Sequence, residues 1–158
     1  SYVSFVKTES PEPIETIFIN ELIADIIKTV DKNNIDLVLN EKTIIQSSGR
    51  QIQLKRAFNN IIDNSQRYAK KIEINLYKNE KDCVIEFNDD GEGIPRDKYE
   101  DVFKPFFTLD PSRNKLKGES GLGLTITRDI IRSHGGDVKL SDSNLGGLQL
   151  KVLLPLWF

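Results

Sequence analysis

Two groups of residues have the types and spacing to do chemistry. The first follows Cys83, where the chain reads C-V-I-E-F-N-D-D-G-E-G-I-P. Val84, Ile85 and Phe87 form a short apolar run of strand type that stops at two acids, Asp89 and Asp90, two glycines one residue apart, Gly91 and Gly93, and Pro95. Such a strand delivers a carboxylate to the rim of a pocket. Bare backbone at Gly91 and Gly93 lets a flat ligand approach closely, a combination that suits a nucleobase. The plainer alternative is an acidic turn that ends a strand.

The second group is Asn60, Asn64 and Arg67, which stand at i, i+4 and i+7 and so share one stripe of a helix. Asparagine is a mediocre helix former because its amide competes for backbone hydrogen bonds, and two of them stacked beside an arginine ask for a reason. Polyphosphate is one: an amide oxygen is a hard ligand for magnesium, and arginine pairs with phosphate oxygens directly. A solvated helix face is the other reading. Further on, Gly118-Glu-Ser-Gly121-Leu-Gly123-Leu124 leads into an apolar helix, a turn that offers free N–H groups to an anion. It lacks the Lys-Ser/Thr ending of a P-loop, and no strand immediately precedes it. His134, the only histidine, stands before Gly135-Gly136 at a helix end and reads as structural, favourable there as a cation.

These groups sit in a chain of 158 residues, the size of one domain able to bury its own core. With 22 basic and 24 acidic residues the net charge is −2, which gives no reason to expect nucleic acid or an anionic membrane as partner. One cysteine, Cys83, excludes an internal disulfide and reads as a small core residue in a reducing compartment. No apolar run approaches the ~20 residues that cross a bilayer, and there is no signal-peptide pattern. The chain is expected to be a soluble piece. Because it opens at Ser1 without methionine, it reads as excised from a longer parent with segments of its own.

Residues 1–13 are polar, with Pro11 and Pro13 around Glu12, and read as a linker. The domain itself is expected over 14–158. Ile14, Ile17 and Ile19 suggest a strand, after which Asn20 can cap a helix carrying Leu22, Ile23, Ile26, Ile27 and Val30. Ile35, Leu37 and Leu39, then Thr43 to Ile45, suggest two more strands. The strongest helix runs from about Arg50 to Ala69, with Leu54, Ala57, Phe58, Ile61, Ile62 and Ser65 on its core face. Ile72, Ile74 and Leu76 form a strand joined to the Cys83 strand by the Asn79 to Asp82 turn. Asp97 to Phe103 can form a short helix, Phe103, Phe106 and Phe107 make part of an apolar hook, and 104–120 reads as a polar lid. The chain ends in a hairpin around Asn144 to Gly147.

Taken in order, these motifs resemble the nucleotide-binding domain shared by sensor histidine kinases, gyrase-type topoisomerases, ninety-kilodalton heat-shock chaperones and mismatch-repair ATPases, over roughly Ile14 to Pro155. The wording is most similar to the histidine kinases: R-A-F-N-N-I-I-D-N-S-Q-R-Y-A resembles the N box, D-D-G-E-G-I-P the first glycine box, V-F-K-P-F-F the F box and S-G-L-G-L the second glycine box. The segment S-Y-V-S-F-V-K-T-E resembles the exit from dimerisation helices, and the general likeness is to osmosensing kinases.

The resemblance implies a two-layer α/β sandwich of the Bergerat type, a mixed sheet with helices on one face. It implies that Asp89 accepts the adenine amino group, with Gly91, Gly93 and Ile94 shaping the base pocket and Tyr68 near the base. Asn64 would hold Mg2+, Asn60 and Arg67 would act at the phosphates of ATP, and Ser120, Gly121, Leu122, Gly123 and Leu124 would cradle them, with N–H groups at 121–123. Phe103 and Phe106 would anchor the lid. ATPases of the superfamily carry a general-base glutamate where this chain has Asn60, which favours phosphate transfer to another domain over hydrolysis. Two positions depart from the family pattern. Thr108 stands where an arginine is usual, with Arg113 as its candidate replacement, and Glu119 stands at the first glycine of the second box. The implied partners are a dimerisation and phosphoacceptor domain and a response regulator, in a homodimeric parent anchored in the bacterial inner membrane with this domain in the cytoplasm. A nucleotide-binding pseudokinase and a superfamily ATPase are the alternatives.

Overall fold

The computed structural model describes residues 12–31, 35–107 and 123–156. Along the chain run β1 (Glu15–Phe18), α1 (Ile19–Lys28), β2 (Asp36–Glu41), β3 (Gln46–Gly49), α2 (Gln51–Tyr68), β4 (Lys71–Lys78) and β5 (Asp82–Asp89). Two 3-10 turns, Arg96–Lys98 and Asp101–Phe103, precede α3 (Gly123–Ser133), β6 (Asp137–Asp142) and β7 (Leu148–Pro155).

The main sheet has five strands in the order β2-β4-β5-β7-β6. Only β2 and β4 pair in parallel, Asp36 opposite Lys71, which makes the sheet mixed. β5 is its centre and is buried at six of its eight positions, which is why its sequence is a near-continuous apolar run while β4 alternates. The inward residues of β4 and β5 (Ile72, Ile74, Leu76, Ile85, Phe87) join the buried faces of all three α-helices in one core. Phe58 of α2 meets Phe87 of β5 with ring centroids 6.2 Å apart. The opposite face of the sheet is polar. There Tyr77 Oη donates to Glu86 Oε2 at 2.7 Å and Asn75 donates to Glu86 Oε1 at 3.4 Å.

Three local expectations are corrected and a fourth is sharpened. Asn20 does not cap α1 but lies within it, since the helix starts at Ile19 behind an extended Phe18. Its buried amide instead donates to Glu41 Oε1 and the Thr43 carbonyl and accepts the Ile45 N–H, fastening the β2–β3 connection to the helix. The third strand covers Gln46–Gly49 rather than 43–45. Ile44 is exposed, and this polar Q-S-S-G stretch pairs with β1 in a separate two-stranded sheet that only tertiary contact specifies. The helix expected over Asp97 to Phe103 is two 3-10 turns, a common outcome for so short a stretch with few apolar residues to seat it. Finally, the structural role of His134 lies in hydrogen bonds that join separate segments. Its Nε2 accepts the Arg50 N–H at 3.0 Å, so Nδ1 carries the proton and donates to the Ile130 carbonyl at 2.8 Å.

Candidate functional site

β5 ends the central strand by turning Asp89 toward the start of β7. The side chain is 7% exposed. Its Oδ1 accepts the Gly91 N–H and the Leu148 N–H, both at 3.0 Å, and its carbonyl accepts the Gly147 N–H at 3.1 Å. Among the described residues no buried side-chain oxygen lacks a partner. Both of these bonds to the carboxylate land on Oδ1, and neither uses Oδ2. A carboxylate held this way by two backbone donors on one side is an oriented acceptor on the other.

The glycines serve this arrangement differently from the sequence expectation. A Cβ on Gly91 would lie 2.9 Å from the Tyr68 carbonyl and 3.3 Å from Asp89 Oδ1, so the bareness of Gly91 lets the strand end pass the carboxyl end of α2. Gly93 has φ +75°, a conformation in which a side chain is strained. Gly147 was not singled out by its sequence. A Cβ there would collide with Asp89 Oδ1 and stand 2.6 Å from Gly91 N and 2.7 Å from Asp89 O. Its signal was present only as a Gly-Gly pair in a hairpin turn, where a glycine is ordinarily read as turn chemistry.

Asp90 ties the same corner to the chain leaving α2. Its Oδ1 accepts the N–H groups of Lys70 and Lys71 at 2.8 and 2.9 Å. The Lys71 N–H is the largest cause holding this carboxyl below the usual carboxylate range.

α2 supplies the polar stripe. Asn60, Asn64, Arg67 and Tyr68 are all half-buried. Asn64 lies one turn beyond Asn60 on the same stripe of α2. Asn60 Nδ2 donates to the Gly123 carbonyl at 3.4 Å, and the Thr127 hydroxyl donates to the same carbonyl at 2.8 Å. The asparagine stripe and the amino terminus of α3 therefore meet, as the motif order implied. Leu124 packs its partly buried side chain on the core.

The aromatic turn is fastened to α3 as well. Phe103 is buried, its carbonyl accepts the Thr125 hydroxyl at 2.6 Å, and the Arg128 guanidinium lies over its ring at 4.2 Å while pairing with Glu100 at 2.8 Å. Phe106 behaves otherwise: it is 71% exposed with φ +63°, and it does not pack with Phe103 in the core. Ile94 is half-buried beyond Gly93. Thr108, Arg113, Glu119, Ser120, Gly121 and Leu122 lie outside the described residues, as does most of the 104–120 stretch read as a lid.

Three structural joints thus bring separate motifs together: Tyr68 against Gly91, Asn60 against Gly123, and Phe103 against Thr125. Residues 49–157 match the family described as Histidine kinase-, DNA gyrase B-, and HSP90-like ATPase, well over half of the chain, and the chain belongs to that family. Within it, the chain is of the type of the ATP-binding catalytic domain of sensor histidine kinases. The sensor histidine kinase CpxA of Escherichia coli K12 is 39% identical over 110 residues, 69% of this chain and 24% of that protein. The sensor protein RstB of the same strain is 31% identical over 150 residues, 92% of this chain and 34% of that protein. The chain therefore spans about a quarter to a third of the length of these curated relatives. Among solved structures, a mycobacterial sensor histidine kinase, MprB, superposes with a TM-score of 0.80 at 25% identity, covering 91% of this chain and 98% of that one. The nucleotide-free catalytic domain of the histidine kinase ThkA shares the fold, with a TM-score of 0.78 at 24% identity over 91% of this chain and 98% of that one.

Proposed function

We propose that this domain binds ATP with Mg2+ and delivers the γ-phosphate to a histidine on a separate dimerisation domain of its parent protein. The observation that carries the reading is the Asp89 carboxylate, held at Oδ1 by Gly91 and Leu148 so that Oδ2 accepts from a purine amino group beside the carboxyl end of α2. Asn64 is the fitting ligand for Mg2+, whose chemistry when bound is to neutralise phosphate charge; Arg67 assists at the phosphates. Asn60 carries no carboxylate with which to activate water, which favours transfer over hydrolysis. Gly91, Gly93, Ile94 and Tyr68 shape the base site, the glycine-rich motif Ser120 to Leu124 is the candidate for the phosphates, and Phe103 holds the aromatic turn against α3.

In the parent protein the acceptor domain lies upstream, joined through residues 1–13. The parent forms a homodimer, passes phosphate to a response regulator, and keeps this domain on the cytoplasmic side of the membrane that anchors it. No described helix is long and apolar enough to cross that membrane itself.

The test mixes the chain with a separately produced dimerisation domain and γ-labelled ATP. Label should reach the acceptor histidine only when both are present, and Asn64→Ala should remove the magnesium-dependent part of nucleotide binding. Steady ATP turnover by the chain alone would move it to the hydrolytic branch. Binding without transfer would make it a nucleotide-sensing pseudokinase.

A further inference from the structure

The amino end of α2 is capped from far away in sequence. Arg50, the residue that flanks the helix, is extended and its side chain caps nothing, and the first turn contains no acid. Helix starts leave backbone donors without partners, and these are ordinarily taken by a side chain at the flanking position itself. Here Glu12 takes them. Its Oε2 accepts the Ile52 N–H at 2.6 Å and its Oε1 accepts the Gln53 N–H at 3.2 Å, across 40 and 41 residues of chain. The Glu12 carbonyl accepts Arg50 Nε at 3.0 Å, and the Arg50 N–H goes to His134. A carboxylate is also the charge that the positive end of a helix favours. Glu12 lies outside the 49–157 stretch that matches the family, in the segment read as a linker. The helix it caps is the one that carries Asn60, Asn64 and Arg67.

We propose that Glu12 is a positioning residue: it is the remote cap of α2, and its docking there sets the order of the helix and thereby the affinity for nucleotide. The capping half stands on geometry alone, whereas the affinity half rests on the nucleotide site proposed above. Leu54, fully buried in the first turn, is the mechanical link, since loosening that turn withdraws a core residue that seats the helix on the sheet.

The test uses the whole 158-residue chain. Amide hydrogen exchange at Ile52 and Gln53 should quicken about fivefold in Glu12→Ala, the scale of a lost cap, while Ile61 and Ile62 in the helix interior keep their rates. Glu12→Gln should fall between, since one amide oxygen replaces two. Adding Arg50→Ser to Glu12→Ala supplies a local cap and should restore protection. Affinity for a non-hydrolysable ATP analogue with magnesium should drop and recover in step with these rates. Unchanged exchange at Ile52 and Gln53, or equal quickening at all amides, would overturn the proposal. So would local loosening with unaltered affinity. If the wild type binds no nucleotide, the site reading fails, while the exchange rates still judge the cap.

Discussion

Gly147→Ala is the sharpest test of how the site is built. The backbone at Gly147 needs no left-handed conformation, so alanine suits it locally and the perturbation is steric. The new Cβ would meet Asp89 Oδ1, Gly91 N at 2.6 Å and Asp89 O at 2.7 Å. An ordinary contact begins near 3.4 Å, so the β7 start must withdraw from the end of β5 by at least about 0.8 Å to clear Gly91 N, and further to clear Asp89 Oδ1. That movement stretches the bonds from Gly147 N to Asp89 O and from Leu148 N to Asp89 Oδ1, now 3.1 and 3.0 Å, past useful range. Overpacking costs about 1–3 kcal/mol and each of the two weakened bonds about 1 kcal/mol, so the total is on the order of 3–5 kcal/mol. Urea unfolding should show a lower midpoint at unchanged slope, and calorimetry should show nucleotide affinity reduced at least tenfold as Oδ2 leaves its position. Gly146→Ala is the control. Its Cβ would meet nothing, but φ is +101°, so it should lose stability through backbone strain and keep its affinity. A Gly147→Ala variant within about 0.5 kcal/mol of wild type and with full affinity would refute the reasoning.

Other outcomes follow from the same geometry. Asp89→Asn can keep an oxygen toward Gly91 and Leu148 but then points a donor where Oδ2 accepted, so analogue affinity should fall about 10- to 100-fold with little change in melting temperature; wild-type affinity would remove Asp89 from the base site. Cys83 is fully buried, and burial, then the charge of Asp82, pushes its thiol up to about 12. Thiol reagents at neutral pH should therefore modify it only at the rate of unfolding, and rapid labelling of the native chain would contradict that burial. Tyr77 is raised to about 12, first by burial and then by the Glu86 hydrogen bond. A raised folded value means stability that is complete below about pH 10 and is lost as pH climbs to about 12, so wild type should lose stability faster than Tyr77→Phe across that window. Parallel curves for the two proteins would show that the tyrosine contributes none of it.

How much was legible in advance varies by residue, for physical reasons. Strand β5 and helix α2 were readable to within a residue or two because one is buried on both sides and the other on a single stripe, and each burial pattern leaves its own period in the sequence. Asp89, Asn64 and Phe103 stood out as candidates because their types conflict with, or abruptly end, those periods. Asn20 was misread because its type fits a helix cap locally, while the loop that satisfies its amide lies more than twenty residues away.

The sequence by itself determined the layer architecture, the family motifs and the acid at the end of the central strand, since periodicity and motif order are local properties of the chain. Only the tertiary structure decided that β1 pairs with β3, that Gly147 is the floor under Asp89, that His134 accepts the Arg50 N–H, and that Glu12 caps α2. Each of these is a contact between segments distant in sequence, and a hydrogen-bond acceptor or a missing Cβ acquires its meaning only from the atom that folding brings against it.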